Sequence, residues 1–185
     1  EDVLYTASTA SRLHARRLLV VNYRGYGGTP GEPSQEALYE DALAIYDYVV
    51  GTSHTRPEDI VVLGRSLGSG LAALLAAKRK VRGAILIAPF DSIAAVAATH
   101  YPVFPVELLL KHPFDSASLA RRAAVPAIMI AAERDNVIPP KHARRLYDAW
   151  SGPKAFHLLE GVGHNDIELH PEYYTLINRF LSESE

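Results

Sequence analysis

Three residues of this chain could together make an activated nucleophile: Ser66, Asp135 and His164, in that order along 185 residues. A serine hydroxyl attacks a carbonyl carbon only when a neighbouring base takes its proton, so His164 would act as general base and later as general acid. A buried carboxylate, here Asp135, would fix the histidine tautomer and stabilise the imidazolium that forms during attack. The chemistry open to such a group is acyl transfer through an acyl-serine intermediate. Ser66 is the centre of Gly64-Arg65-Ser66-Leu67-Gly68, which follows the apolar run Ile60-Val61-Val62-Leu63 and opens into a helical pattern from Leu71 to Lys78. A strand that turns sharply into a helix would push the serine out at the top of a sheet, with the flanking glycines leaving room for the turn. The backbone N–H of Leu67 would then be one donor to the developing oxyanion.

A lone G-x-S-x-G match is weak, and the elements around it supply the specificity. Residues 127–132 are a strand-like run followed by Glu133-Arg134-Asp135-Asn136 and the pair Pro139-Pro140. Residues 156–159 are a shorter run followed by Glu160-Gly161-Val162-Gly163-His164-Asn165-Asp166. Acid and base thus each follow an apolar run, as they must if the carboxyl ends of parallel strands converge on the serine. Strand-like and helix-period segments alternate throughout, which reads as βαβ units on a mainly parallel sheet. The spacing predicts a strand beginning at 3–5, a helix over 11–17 and a buried strand over 18–23. A helix follows, capped by Ser34, running to about Val50 and stopped by Gly51. Further strands are predicted over 60–63 and 84–88, and helices over 140–150 and 172–181.

Composition frames this reading. With 48% hydrophobic residues, a chain of 185 can bury roughly 70% of its unfolded surface, so one domain is expected. The formal net charge is −2 with both signs interspersed, so no nucleic-acid partner is expected. The clusters Arg16-Arg17, Lys78-Arg79-Lys80 and Arg121-Arg122 read as solvated helix ends. The absence of cysteine excludes a disulfide scaffold, a thiolate metal site and a cysteine nucleophile. It leaves the compartment open, with a cytoplasmic guess, because a signal or anchor removed from the natural N-terminus would leave no trace here. No apolar run approaches the ~18 residues that span a bilayer.

From 91 to 122 the regular pattern breaks at Tyr101-Pro102-Val103-Phe104-Pro105 and His112-Pro113-Phe114. Two readings stand: a small cap or lid over the pocket, or an ordinary helix pair packed on the sheet. The turn-rich loop Asn22-Tyr23-Arg24-Gly25-Tyr26-Gly27-Gly28 likewise offers Tyr23, Arg24 and Tyr26 as pocket residues or simply as a tight glycine turn. Asp91, just past a strand end, is a second candidate for the acid. Asp166, Glu168 and His170 follow His164 at spacings that superficially suggest a metal site, but they should face different directions on a loop entering a helix, so no metal is expected. Asp166 would brace the histidine loop instead. The remaining histidines, His142 among them, read as surface or packing residues.

Four stretches in register carry a family resemblance. Asn22-Tyr23-Arg24-Gly25-Tyr26-Gly27, Gly64-Arg65-Ser66-Leu67-Gly68, Glu133-Arg134-Asp135-Asn136-Val137-Ile138-Pro139 and Gly163-His164-Asn165-Asp166 resemble the α/β-hydrolase superfamily. Within it the chain looks like the branch of compact serine hydrolases that includes uncharacterised bacterial esterases, lysophospholipid lipases and protein depalmitoylases. The resemblance implies a nucleophile at Ser66, an acid at Asp135 and a base at His164. One feature departs from it: that branch has a His-Gly pair after its first shared strand, supplying the second oxyanion donor, whereas here Val3-Leu4-Tyr5 runs into Thr6-Ala7-Ser8-Thr9. We expect omission of residues near this point rather than a true deletion.

The expectation is therefore an α/β-hydrolase fold in one domain that cleaves a small-molecule or lipid-like carboxylic ester, or a thioester, without a cofactor. A peptidase or amidase with the same residues is the alternative among enzymes. A binding protein on an inactive hydrolase fold is the alternative outside them. Acyl and alcohol specificity, oligomeric state and membrane association are not legible.

Overall fold

Four apolar runs form strands: β1 (Val61–Arg65), β2 (Gly83–Ile87), β3 (Ala127–Ala132) and β4 (Lys154–Leu159). Among the described residues they pair in parallel in the order β1-β2-β3-β4, with the strand that carries the serine turn first in that order. Parallel neighbours need long crossovers, and helices supply them. The computed structural model describes residues 11–15, 17–53 and 55–183. Its helices are α1 (Gln35–Thr52), α2 (Leu67–Lys78), α3 (Ile93–His100), α4 (Val106–Leu109), α5 (Ser116–Ala120), α6 (Pro140–Ala149) and α7 (Glu172–Glu183).

β2 and β3 are buried on both faces, which is why they read as unbroken apolar runs rather than as alternating patterns. Ala84, Leu86, Ala127 and Met129 pack with Ala72, Ala73 and Ala76 of α2 and with Leu146 and Trp150 at the end of α6. The intervening Ile85, Ile87, Ile128 and Ile130 pack against Tyr173, Leu176, Ile177 and Phe180 of α7. Burying each such isoleucine contributes roughly 1.5–3 kcal/mol relative to exposure, so these strands, covered on both faces, hold a substantial core. A third cluster joins Leu38 and Ala42 of α1 to Leu71 and Leu74 of α2 and to Phe90, Val96, Phe114 and Ile138.

The structure corrects the sequence reading before residue 34. Residues 18–23 are not a strand, and Leu18, Leu19 and Val20 are exposed. A strand exists only as a hydrogen-bonded ladder, and β1 pairs with β2 alone among the described residues. The predicted helix over 11–17 stops at Arg12, because Asn178 of α7 captures the backbone on both sides of the break. Its amide donates to the Arg12 carbonyl and its oxygen accepts from His14 N–H. The strand expected at 3–5 and the missing His-Gly position lie outside the described residues. Ser34 does cap α1, accepting from Ala37 N–H at 3.1 Å, but Gly51 lies inside that helix and Ser53 ends it.

Burial is uneven along the segment 91–122. α5 is core: Ala120 is fully buried in the cluster with α2 and α6. The stretch before it leaves Tyr101, Val103, Phe104 and Leu109 exposed.

Candidate active site

β1 ends at Arg65 and α2 begins at Leu67, so Ser66 alone makes the turn between them. Its backbone sits at φ 51°, ψ −123°, a combination that strains any residue with a Cβ. Neighbouring bonds hold it there. Ser66 N–H donates to the Ile87 carbonyl at the end of β2, and the Ser66 carbonyl accepts from both the N–H and the hydroxyl of fully buried Ser69. Gly64 shows why the motif needs glycine, since a Cβ there would lie 2.1 Å from the Gly68 carbonyl oxygen. Gly68 differs: a Cβ would meet nothing within 4 Å, so the turn does not require a glycine there.

The acid and base loops meet this turn. His164 Nε2 is 3.1 Å from Ser66 Oγ, and His164 Nδ1 is 2.7 Å from Asp135 Oδ2. The other Asp135 oxygen accepts from Val137 N–H and Ile138 N–H, so the carboxylate is fixed by its own loop before it meets the ring. The Asp135 side chain is 1% exposed and that of His164 10%, which leaves the ring reachable and the acid sealed. Leu67 is the first residue of α2, where a backbone N–H has no partner within the helix, and this is the expected place for a donor to an oxyanion.

Arg65 was not singled out in the sequence, yet it ties the two halves of the site together. Its Nη2 donates to the His164 carbonyl at 2.7 Å, and its Nη1 is 3.4 Å from Glu168. The arginine between glycine and serine in the motif was the available signal. Asp166 braces the same loop as expected, accepting from Gly163 N–H at 2.6 Å. Glu168 faces Arg65 and His170 accepts from Glu172 N–H, so these two and Asp166 serve three separate partners.

The loop after residue 21 contributes a mostly apolar cavity of about 230 Å³ at the first turn of α2. Tyr23 and Tyr26 line it together with Val21, Asn22, Leu67 and Leu71. Burial raises the Tyr23 hydroxyl pKa above its usual value, and nearby Asp41 adds to the effect. Arg24 does not line this cavity. Its guanidinium grips Asp41 of α1 with two hydrogen bonds, holding the Asp41 carboxyl below its ordinary range and securing the glycine turn.

A second buried aspartate–histidine pair was missed. Asp91 is not bonded to His164. It accepts instead from His142, whose Nδ1 is 2.7 Å away and whose ring is completely buried in the first turn of α6. His142 Nε2 is 3.0 Å from Thr99 Oγ1 of α3. The only sequence signal was that His142 shares a helical face with buried Ala143 and Leu146.

A family model described as the alpha/beta hydrolase fold matches residues 6–110. The chain belongs to that family. This alpha/beta hydrolase is 38% identical over 182 residues to an uncharacterized protein of Mycobacterium tuberculosis, covering 96% of the chain and 65% of the relative. It is 29% identical over 164 residues to human alpha/beta hydrolase domain-containing protein 17B, covering 88% of the chain and 55% of the relative. It therefore spans less than two thirds of either relative. Among solved structures, acetyl xylan esterase 1 from Thermoanaerobacterium superposes with a TM-score of 0.70 at 19% identity, over 88% of this hydrolase and 64% of the esterase. A monoacylglycerol lipase from Paleococcus ferrophilus gives 0.65 at 17% identity, over 89% and 82%. Likeness at that distance reports the fold, and the parallel sheet flanked by helices agrees with it.

Proposed function

We propose that this alpha/beta hydrolase cleaves a carboxylic ester or thioester through an acyl-serine intermediate. The observation that carries the reading is the His164 ring, bonded at both ends: Nε2 to Ser66 Oγ and Nδ1 to Asp135. With Nδ1–H donated to the carboxylate, Nε2 is free to take the serine proton as Oγ attacks the carbonyl carbon. The imidazolium then lies against Asp135 while the carbonyl oxygen, now negative, faces the N-terminus of α2 and Leu67 N–H. Collapse of the tetrahedral species returns the proton to the leaving alcohol or thiol. Water, deprotonated by the same ring, releases the acid and restores Ser66.

The cavity beside Leu67 suits an apolar portion of the substrate, with Tyr23 and Tyr26 among its walls. The exposed apolar residues of 101–109 suit a cap over a small-molecule or lipid-like ester. No step calls for a cofactor.

Fluorophosphonate labelling of the protein, located by peptide mass spectrometry, tests the assignment. Label on Ser66 that disappears in Ser66→Ala and His164→Ala is the expected result, followed by turnover of esters or thioesters faster than anilides. A folded protein that takes no label would retire the enzyme reading in favour of a binding role. Faster anilide turnover would turn it toward amide substrates.

A further inference from the structure

We infer that Asp91, His142 and Thr99 are positioning residues for Asp135, holding the acid loop at the distance its carboxylate needs from His164. This rests on the reading of Ser66, His164 and Asp135 given above. Asp135 owes its place to a short loop: it accepts from Val137 and Ile138 N–H, and α6 begins at Pro140. The loop is therefore only as well placed as the first turn of α6. That turn carries His142, whose N–H donates to the Pro139 carbonyl and whose buried ring reaches across to Asp91.

Asp91 is itself immobilised. Its side chain accepts from Ser92 N–H, its carbonyl accepts from Ala117 N–H of α5, and it directly follows Phe90, which is fully buried. Arg145, one turn along α6, stands 3.5 Å from the other Asp91 oxygen and closes the pair from the solvent side. Thr99 completes the clasp by meeting His142 Nε2 from α3. The next residue, His100, donates from Nε2 to the Val137 carbonyl inside the acid loop at 2.9 Å. Ile138 of the same loop is buried against α3 with Val96 and Phe90. The acid loop is thus clamped from both sides by elements that trace back to Asp91.

A carboxylate only accepts, so His142 donates from Nδ1; the single Thr99 hydroxyl hydrogen goes either to Nε2 of the neutral ring or to the Ala95 carbonyl 3.1 Å away, and in the second arrangement Nε2 of a charged ring donates to Thr99 Oγ1. No atom of this network touches Ser66, so its effect on the reaction would pass through the position of Asp135.

The test compares wild type with His142→Leu, His142→Gln and Thr99→Val. It reads the labelling rate at Ser66 against pH, the NMR titration of the His164 ring, and Tm. In His142→Leu we expect labelling to fall about tenfold to a hundredfold, the scale of loss that displacement of a catalytic group by about 1 Å produces. We also expect the His164 ring to titrate at lower pH, because an imidazolium without its carboxylate loses stabilisation. The charges around His164 that could otherwise set its titration, Arg65, Asp166 and Glu168, are untouched by these substitutions. His142→Gln, which keeps a donor and an acceptor, should recover part of both effects. Should His142→Leu not fold, Thr99→Val carries the test, with the same direction and a smaller size. A folded variant whose His164 titrates as in wild type overturns the inference, whether its labelling rate is unchanged or merely reduced. If wild type takes no label, the enzyme reading fails, and the His164 titration still decides whether the clasp positions Asp135.

Discussion

Among the described residues two aspartate–histidine pairs share the same Nδ1-to-carboxylate distance of 2.7 Å, and their surroundings differ. In Asp135–His164 the free ring nitrogen meets a serine on a strained one-residue turn at a helix N-terminus. In Asp91–His142 it meets a threonine inside a helix, whose hydroxyl also lies 3.1 Å from the Ala95 carbonyl of its own preceding turn. The first ring is partly accessible and the second is sealed. If Ser66 is the nucleophile proposed above, an acid beside a histidine is not enough to make a reactive hydroxyl. The third residue must stand where the backbone exposes it and where amide donors face the charge that develops.

The hydroxyls separate the pairs most sharply. A fluorophosphonate should modify Ser66 and never Thr99, and Ser66→Ala should lower ester turnover by at least ~10³-fold. Label on Thr99 would erase the distinction. The acids come next. Asp135→Asn should cost about 10³–10⁴-fold in kcat by favouring the wrong His164 tautomer. Asp91→Asn, which keeps an oxygen toward His142, should cost no more than about tenfold; equal losses would mean that the two pairs work as one.

The backbone beneath the serine gives a smaller, structural contrast. Gly64→Ala places a Cβ 2.1 Å from the Gly68 carbonyl and should lower stability by about 3 kcal/mol or more in chemical denaturation, whereas Gly68→Ala should stay within about 1 kcal/mol. The weakest effect belongs to Arg24–Asp41, away from either pair. Arg24 holds the Asp41 pKa below its ordinary 3.8, so the pair's stabilisation is present above that pH and is lost as pH falls through the lower folded-state value. Arg24→Ala should therefore lower stability only slightly at neutral pH, because solvent screens both groups, and progressively less in acid. A cost independent of pH would point to packing of the arginine stem instead.

Sequence reading anticipated the turn at Ser66, the meeting of Asp135 and His164 with that serine, and β3 to the residue, because each of these is written locally in glycine placement, chain order or an unbroken apolar run. The Asp91–His142 pair was not legible, because its members are 51 residues apart and a histidine on the apolar face of a helix looks like packing. Residues 18–23 misled for the complementary reason: Leu18 to Val21 are apolar enough for a strand, but apolarity does not supply a ladder partner. Tyr23 and Tyr26 reached the cavity while Arg24 between them went to Asp41, a split that the composition of the loop could not foretell.

Arg65 has a further consequence for how this hydrolase is assembled. Its bond to the His164 carbonyl closes a loop of 99 residues between the strand that ends before Ser66 and the turn that presents His164. Contacts of such long sequence separation carry a large closure entropy and tend to form after local ones. β2, β3 and β4 must all be in register before that bond can be made. A partly folded chain would therefore present Ser66 without His164, so if Ser66 is the nucleophile proposed above, reactivity toward a serine probe would be gained late on refolding and would report completion of the fold.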